Sequence, residues 1–284
     1  MTPATGELLY VYTVLRTAPP ASPPLALDVH ARLGTGLEFV EHQGLTAVVE
    51  PVDPAHFDEQ PLRAHLEDLD WLAGVAGAHH EVVARVGRGT TTVPLRLATI
   101  CRGRQGVQRM LAEARQPISE ALQRVTDAEE WGVKLYAQPA PDSADPDPAP
   151  APGAAAQPAT AEPGSSGSAP TSSGRDYLRR RLSDRRAQAD RTGQAQRAAE
   201  ALHEELAYKA SGAVLHPPQQ RQLSQAPGQN VLNAAYLVPT AHREAFLDSI
   251  PAADDLPQGV RVEVTGPWVP YSFTHTTAAP AQPS

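Results

Sequence analysis

Cysteine is nearly absent: Cys101 is the single thiol in 284 residues. No disulfide can close within the chain, and a lone thiol fits a reducing cytosol. Long apolar runs are missing as well. No stretch approaches the ~20 consecutive apolar residues that a membrane-crossing helix needs. The segment from Met1 to Leu9 holds neither Lys nor Arg and no long apolar core, so it is not expected to act as a secretory signal. Positive charge is in deficit. Lys and Arg number 24 against 32 Asp and Glu, a net charge of −8, which is the wrong sign for binding nucleic acid by bulk electrostatics. These absences together predict a soluble cytoplasmic chain with no membrane span.

One absence is local. From Pro139 to Gly174 there is no Val, Ile, Leu, Met or aromatic residue. Such a segment cannot bury enough apolar surface to offset the entropy of ordering, so it predicts a disordered, extended linker. The expected layout is an N-terminal domain at 1–138, a linker at 139–174 and a C-terminal domain at 175–284.

What is present alternates between strand and helix patterns. Leu8 to Leu15 is β-branched and aromatic, a buried strand. Leu37 to His42 and Leu45 to Glu50 read as a hairpin around Gln43-Gly44. Pro61 to Arg85 predicts one helix, with Leu62, Leu66, Leu69, Leu72 and Val75 at helical spacing. Thr91 to Ile100 predicts a strand placed at an edge or bulge by Pro94. Val107 to Val125 predicts a second helix, and Trp131 to Ala137 a strand closing the first domain. Beyond the linker, Arg175 to Ala210 predicts one long helix. A strand start at Val214-Leu215, a strand at Val231 to Val238, a short helix at His242 to Ile250 and a strand at Val260 to Thr265 follow. Both halves fit sheets covered by helices, an α+β class. The end from Ala278 to Ser284 should be loose.

Candidate chemistry is thin. His79-His80-Glu81 begins like a zinc-protease helix, but position 84 is Ala84 and the second ligand is missing; a helix with polar residues facing solvent or a partner explains it. Cys101 has Arg102 and Arg104 nearby, which could activate a thiol, yet no second cysteine exists to resolve an oxidised form. Glu129 and Glu130, in or before a strand, would point to opposite faces and not share a proton. Gly87 to Thr92 lacks the Gly-Lys-Thr ending of a phosphate loop and reads as a turn. The eight arginines from Arg175 to Arg197 are interrupted by Asp176, Asp184 and Asp190. No aromatic follows Tyr177 within the run to stack on bases, so a solvated, ion-paired helix face is expected. No catalytic, cofactor or metal site and no small-molecule substrate is expected.

The most unusual segment is Gly266-Pro267-Trp268-Val269-Pro270-Tyr271-Ser272-Phe273. Its prolines stop the strand ladder, and its three aromatics must either pack back across the domains or meet a partner.

Several blocks in order then carry a resemblance: Tyr10-Val11-Tyr12; Leu69-x-Trp71 with His80-Glu81; Val93-Pro94-Leu95-Arg96; Glu130-Trp131-Gly132-Val133-Lys134; and the Gly266 to Phe273 ending. The chain resembles the gas vesicle protein L/F family. Two departures stand out: Ala98-Thr99-Ile100-Cys101 where the family usually has Gly-Thr-Val-Phe, and Val269 where Pro is common. The resemblance marks Trp71, His80, Glu81, Pro94, Leu95, Arg96, Glu130, Gly132, Val133, Lys134, Gly266, Pro267, Trp268, Pro270, Tyr271, Ser272 and Phe273 as family-motif positions. It implies a two-domain α+β architecture with ferredoxin-like character and no cofactor. It also implies a non-enzymatic, gas vesicle-associated accessory role, with the hydrophobic shell protein and other accessory proteins as partners. The rival reading is a small-ligand-sensing module with paired ferredoxin-like domains, which would need a polar pocket between them.

Overall fold

Nine residues, Leu8–Arg16, form β1, and eight of them are buried. A strand apolar on both faces must lie inside a sheet with layers on either side. The computed structural model places it there and describes residues 6–18, 33–138, 174–218 and 228–274. Of the expected linker at 139–174 only Gly174, which opens a helix, is described, and the end from Ala278 lies outside the described residues.

The strands β2 (Glu38–His42) and β3 (Leu45–Val52) form the expected hairpin. Gln43 and Gly44 both take positive φ, 49° and 82°, the conformation a two-residue turn between twisted strands requires. β1 pairs antiparallel with β3, and the register slips between Val11 and Thr13. The extra residue shifts the alternation. Leu8, Tyr10 and Tyr12 face one layer, and Leu9, Val11 and Val14 face the other.

Each of the two long helices expected in this half is interrupted, and the cause can be named. The first, expected over Pro61 to Arg85, becomes α2 (Glu59–His65) and α3 (Leu69–Gly87), preceded by a short α1 (Pro54–Phe57). Asp68 starts α3 by accepting from the N–H groups of Asp70 and Trp71 at 3.0 and 3.2 Å, as an N-cap does. The second becomes α4 (Gly103–Glu113) and α5 (Arg115–Arg124). Pro117 has no N–H and would clash with the carbonyl four residues back, so the helix breaks at Ala114. The expected strand from Thr91 also divides. β4 (Thr92–Pro94) and β5 (Ile100–Arg102) both pair with β1, and the chain between them turns through Ala98 at φ 59°. The sheet runs β2-β3-β1-β4, with β5 also on β1. α4 and α5 cover one face through Val107, Leu111, Ile118 and Leu122. α3 and Phe57 cover the other. Full burial of each such side chain is worth ~1.5–3 kcal/mol.

The strand expected to close this sheet does not belong to it. β6 (Ala128–Ala137) pairs instead with two strands from beyond the composition break. β1 already has strands on both edges, so the first sheet offers β6 no central place. The second unit continues with α6 (Gly174–Lys209), β7 (Gly212–Leu215) and β8 (Gln229–Pro239). A 3-10 turn, α7 (Arg243–Leu247) and β9 (Val260–Trp268) complete it. Its sheet is wholly antiparallel in the order β7-β8-β6-β9. Counted from β6, the elements run β-α-β-β-α-β, the ferredoxin-like succession. The composition break therefore falls inside this unit, between its first strand and its first helix. Ala199, Leu202 and Leu206 of α6 and Phe246 of α7 cover one sheet face. Among the described residues, Val125 and Phe273 pack on the other. The chain is thus an α+β protein with two sheets.

Candidate functional site at the aromatic clasp

β9 runs along β6 and ends in the Gly-Pro-Trp stretch, where the Gly266–Pro267 peptide is cis. The chain then leaves the sheet and crosses to the first unit. Val269 and Tyr271 pack on the core between β1 and α3. Phe273, in a 3-10 turn, returns to the second sheet against Val125, Ala235 and Leu237. One short segment thus touches both units. Gly87, in the last turn of α3, makes room for it: a Cβ there would lie 2.4 Å from Val269 Cγ2.

Polar groups fix the crossing. Glu130, only 9 % exposed on β6, accepts the Ser272 N–H at 2.8 Å and the Ser272 hydroxyl at 2.7 Å. His216 Nε2 lies 3.3 Å from Ser272 Oγ. With the hydroxyl proton on the Glu130 side, the His216 nitrogen is the donor. Arg124 Nη1, at the end of α5, donates to the Phe273 carbonyl at 2.9 Å. The three side chains Glu130, Ser272 and His216 are those of a nucleophile triad in the wrong order, since activation requires the serine proton to point at the histidine. Here they are a latch.

On the first-unit side, exposed His80 sits edge-on to Trp268 at 5.8 Å and near the Tyr271 ring at 6.3 Å. Its neighbour His79 is buried, with Nδ1 2.9 Å from the Tyr10 hydroxyl. Burial, and then the proximity of His80, push His79 down to about 4, against a smaller upward effect of its hydrogen bond to the Leu95 backbone. Burial raises Tyr10 to about 12, and Tyr12, which donates to the fully buried Glu50 at 2.5 Å, is raised further. Tyr271 is also raised, chiefly by burial. His79, Tyr10, Tyr12 and Tyr271 are therefore neutral near pH 7.

The structure gathers His80, Glu130, Trp268, Tyr271, Ser272 and Phe273 at the crossing. It leaves other family-motif positions elsewhere. Trp71 stacks on His65 at 4.8 Å, Pro94 is buried at the end of β4, and Leu95 packs beneath α4 and α5. Arg96 is exposed in the loop before β5. Lys134 lies opposite Asn233 and Glu263 in the second sheet. Glu129 and Glu130 engage different partners, Arg243 and Ser272 respectively. Cys101 is pushed up to about 11 by burial, the reverse of an activated thiol. His79 is buried, not a polar residue facing solvent or a partner as the sequence pattern suggests. Its alternation with Val75, Val82 and Val86 on the buried face of α3 was the signal available. Arg124 and His216 carried no local signal.

Among the described residues, Val269, Tyr271 and Phe273 occupy the junction between the units. A groove of about 500 Å³ lies instead on the outer side of α3, bordered by Leu33, Trp71, Gly74, Gly77 and Glu81. Among the described residues, no group of three or more His, Cys, Asp or Glu is placed to hold a metal, and no helix is long and apolar enough to cross a membrane.

Fold and site together define a two-sheet α+β protein whose ferredoxin-like second unit is latched to the first by its own C-terminal aromatic segment. The chain belongs to the family described as gas vesicle synthesis protein GvpL/GvpF, which it matches over residues 8–275. It is 43 % identical over 270 residues to gas vesicle protein L of Streptomyces sp. (strain CB03234), covering 95 % of this chain and 94 % of that one. Its fold is similar to the crystal structure of gas vesicle protein GvpF from Anabaena sp. PCC7120, with TM-score 0.59, 15 % identity and coverage of 95 % and 97 %. GvpF from Microcystis aeruginosa gives TM-score 0.57, 14 % identity and coverage of 95 % and 99 %.

Proposed function

We propose that the chain is a non-enzymatic, cytoplasmic accessory protein that assists assembly of the gas vesicle shell, and that it does so by pairing an apolar strand of the shell protein with the outer edge of β9. Other accessory proteins of the vesicle are its further partners. The observation that carries the reading is the outer edge of β9, which no strand among the described residues pairs with. β9 is a terminal strand of its sheet, nine residues long and rich in valine. The Gln138 N–H donates to the Gly259 carbonyl at 2.7 Å, and this sets the phase of the ladder. Arg261, Glu263 and Thr265 exchange bonds with β6, so the N–H groups of Val262 and Val264 point outward. Exposed edges of this kind accept an added strand. Arg261 and Glu263, which pair with each other at 3.4 Å, are the charged guards that keep such an edge from unselective pairing. A shell subunit with a very apolar face is an aggregation hazard before it polymerises, and an edge that occupies it delays that step.

The rival, a ligand sensor with a polar pocket between its units, finds that junction occupied by Val269, Tyr271 and Phe273. The test is co-purification with the shell protein from cells making vesicles, for the unmodified chain and for Val262→Pro. Proline removes an outward N–H and no bond to β6. Loss of the shell protein from the purified material with the circular dichroism spectrum retained supports edge pairing. Equal recovery by a folded variant overturns it.

A further inference from the structure

α6 outruns the sheet it covers. Its buried residues are Ala195, Ala199, Leu202 and Leu206, and no described residue of the helix before Ala195 is buried. About 20 residues before Ala195 therefore form an arm of roughly 30 Å, at 1.5 Å per residue. Between Arg175 and Arg191 the arm holds seven arginines and three aspartates, net +4, so with −8 overall the remainder of the chain carries −12. Leu182 stands 56 % exposed, one turn from Arg185 and Arg186. Leu182, Arg185 and Arg186 are all exposed on this stretch of the helix.

A matching surface exists at the corner between α2 and α3. Leu69 is 78 % exposed and Leu66 44 %. Glu67, Asp68 and Asp70 surround them, all exposed. From Asp53 to Asp70 there are six acidic residues and one arginine, Arg63. Asp58 is engaged by Arg102 and Asp68 by the start of α3, which leaves Glu67 and Asp70 as the outward charges beside the leucines. Each surface is an apolar centre with a charged rim, the layout of an interface, and their signs are opposite.

We propose that the arm of one copy docks on the α2–α3 corner of a second copy, Leu182 against Leu66 and Leu69, Arg185 and Arg186 against Glu67 and Asp70. The two patches differ, so the contact is heterologous and runs head to tail, and it does not stop at two copies unless the ring closes. Asp184 and Asp190 within the arm, and the lack of an aromatic after Tyr177, disfavour nucleic acid as its occupant. The contact is independent of the β9 edge.

The test is sedimentation velocity of the full chain. At roughly 50 mM NaCl, where charges act over more than 10 Å, the mass should exceed the 30.2 kDa monomer, and it should return to the monomer at about 500 mM. Arg185→Glu with Arg186→Glu should be monomeric at low salt, and so should Glu67→Arg with Asp70→Arg. Mixing these two variants should restore the larger species, because each then offers the other a complementary pair. If a charge variant loses its helical spectrum, Leu182→Ser and Leu69→Ser replace the pair, and each should be monomeric at low salt. A chain that is monomeric at every salt, association that survives both reversals, or an arm that retains transfer RNA while the protein stays monomeric overturns the proposal.

Discussion

Ser272 gives both of its donors to one carboxylate, its N–H to Glu130 Oε2 and its hydroxyl to Glu130 Oε1, across 142 positions of sequence. The acceptor sits on β6, the strand that begins the ferredoxin-like unit, and the donor follows the strand that ends it. The pair therefore ties the two ends of that unit together and, through the residues either side of Ser272, fastens it to the first. A glutamine at position 130 keeps the shape and turns one acceptor into a donor facing a donor. Glu130→Gln should cost about 1.5–3 kcal/mol, the range for hydrogen bonds to a charged group, and Ser272→Ala about 1 kcal/mol or more. Because they share one interaction, the double variant should cost less than the sum by at least ~0.5 kcal/mol. Urea unfolding of the three variants measures this, and strict additivity would show that the residues do not act as a unit.

The aromatics of the ending are not equivalent. Phe273 is 7 % exposed and Trp268 is 44 % exposed. Phe273→Ala should destabilise the chain by about 3 kcal/mol or more, as buried Phe truncations do. Trp268→Ala should stay within roughly 1 kcal/mol, near the surface range, because its ring lies beside exposed His80 with one side in water. Thermal or urea unfolding decides it. An equal loss in both variants would mean that Trp268, and not the turn at Phe273, fastens the segment.

Much of this arrangement was legible in the residues, and the misses have physical causes. The β1 run, the Gln43-Gly44 hairpin, the long α6 and the β8 and β9 strands follow from local pattern and turn chemistry. The helix breaks at Asp68 and at Ala114 are equally written in the sequence, as a capping residue and as the missing N–H of Pro117, but the apolar spacing continues across both and masks them. The place of β6 could not be read locally. Alternation in Trp131 to Ala137 specifies a strand and says nothing of which sheet takes it; the Pro/Ala-rich stretch looked like a boundary when it is a connection within one unit. The aromatic ending allowed two outcomes, packing back or facing a partner. The choice depends on Gly87, Glu130 and Arg124, which are far away in sequence and meet the segment only in the folded chain.

Gly87 tests the fit of the crossing from the other side. Nothing larger than hydrogen is accommodated where Val269 Cγ2 would stand 2.4 Å from an added Cβ. Gly87→Ala should therefore cost about 1–3 kcal/mol by overpacking, even though alanine is the better helix former by ~1 kcal/mol. Val269→Ala removes the opposing methyl groups. Combined with Gly87→Ala, it should recover part of the loss, so the double variant is more stable than the two single costs add to. If Gly87→Ala alone raises the unfolding midpoint, the helix term wins and Val269 yields without cost.

His79 gives the chain a defined weakness in acid. It lies 4 % exposed between β1 and α3, with the Tyr10 hydroxyl 2.9 Å from Nδ1, and its folded value of about 4 compares with an ordinary 6.5. The unfolded chain thus takes up a proton below pH 6.5 that the folded chain refuses until about pH 4. Unfolding binds protons in that window, so stability from this group is complete above 6.5, declines as pH falls, and is gone below about 4. The difference is worth about 3 kcal/mol at most. Thermal midpoints measured from pH 7 down to pH 4 should fall for the unmodified chain. His79→Gln has no titrating ring, so its midpoint should start lower and fall with a shallower slope. Parallel curves for the two proteins would show that the acid sensitivity arises from other groups and that the buried ring contributes nothing to it.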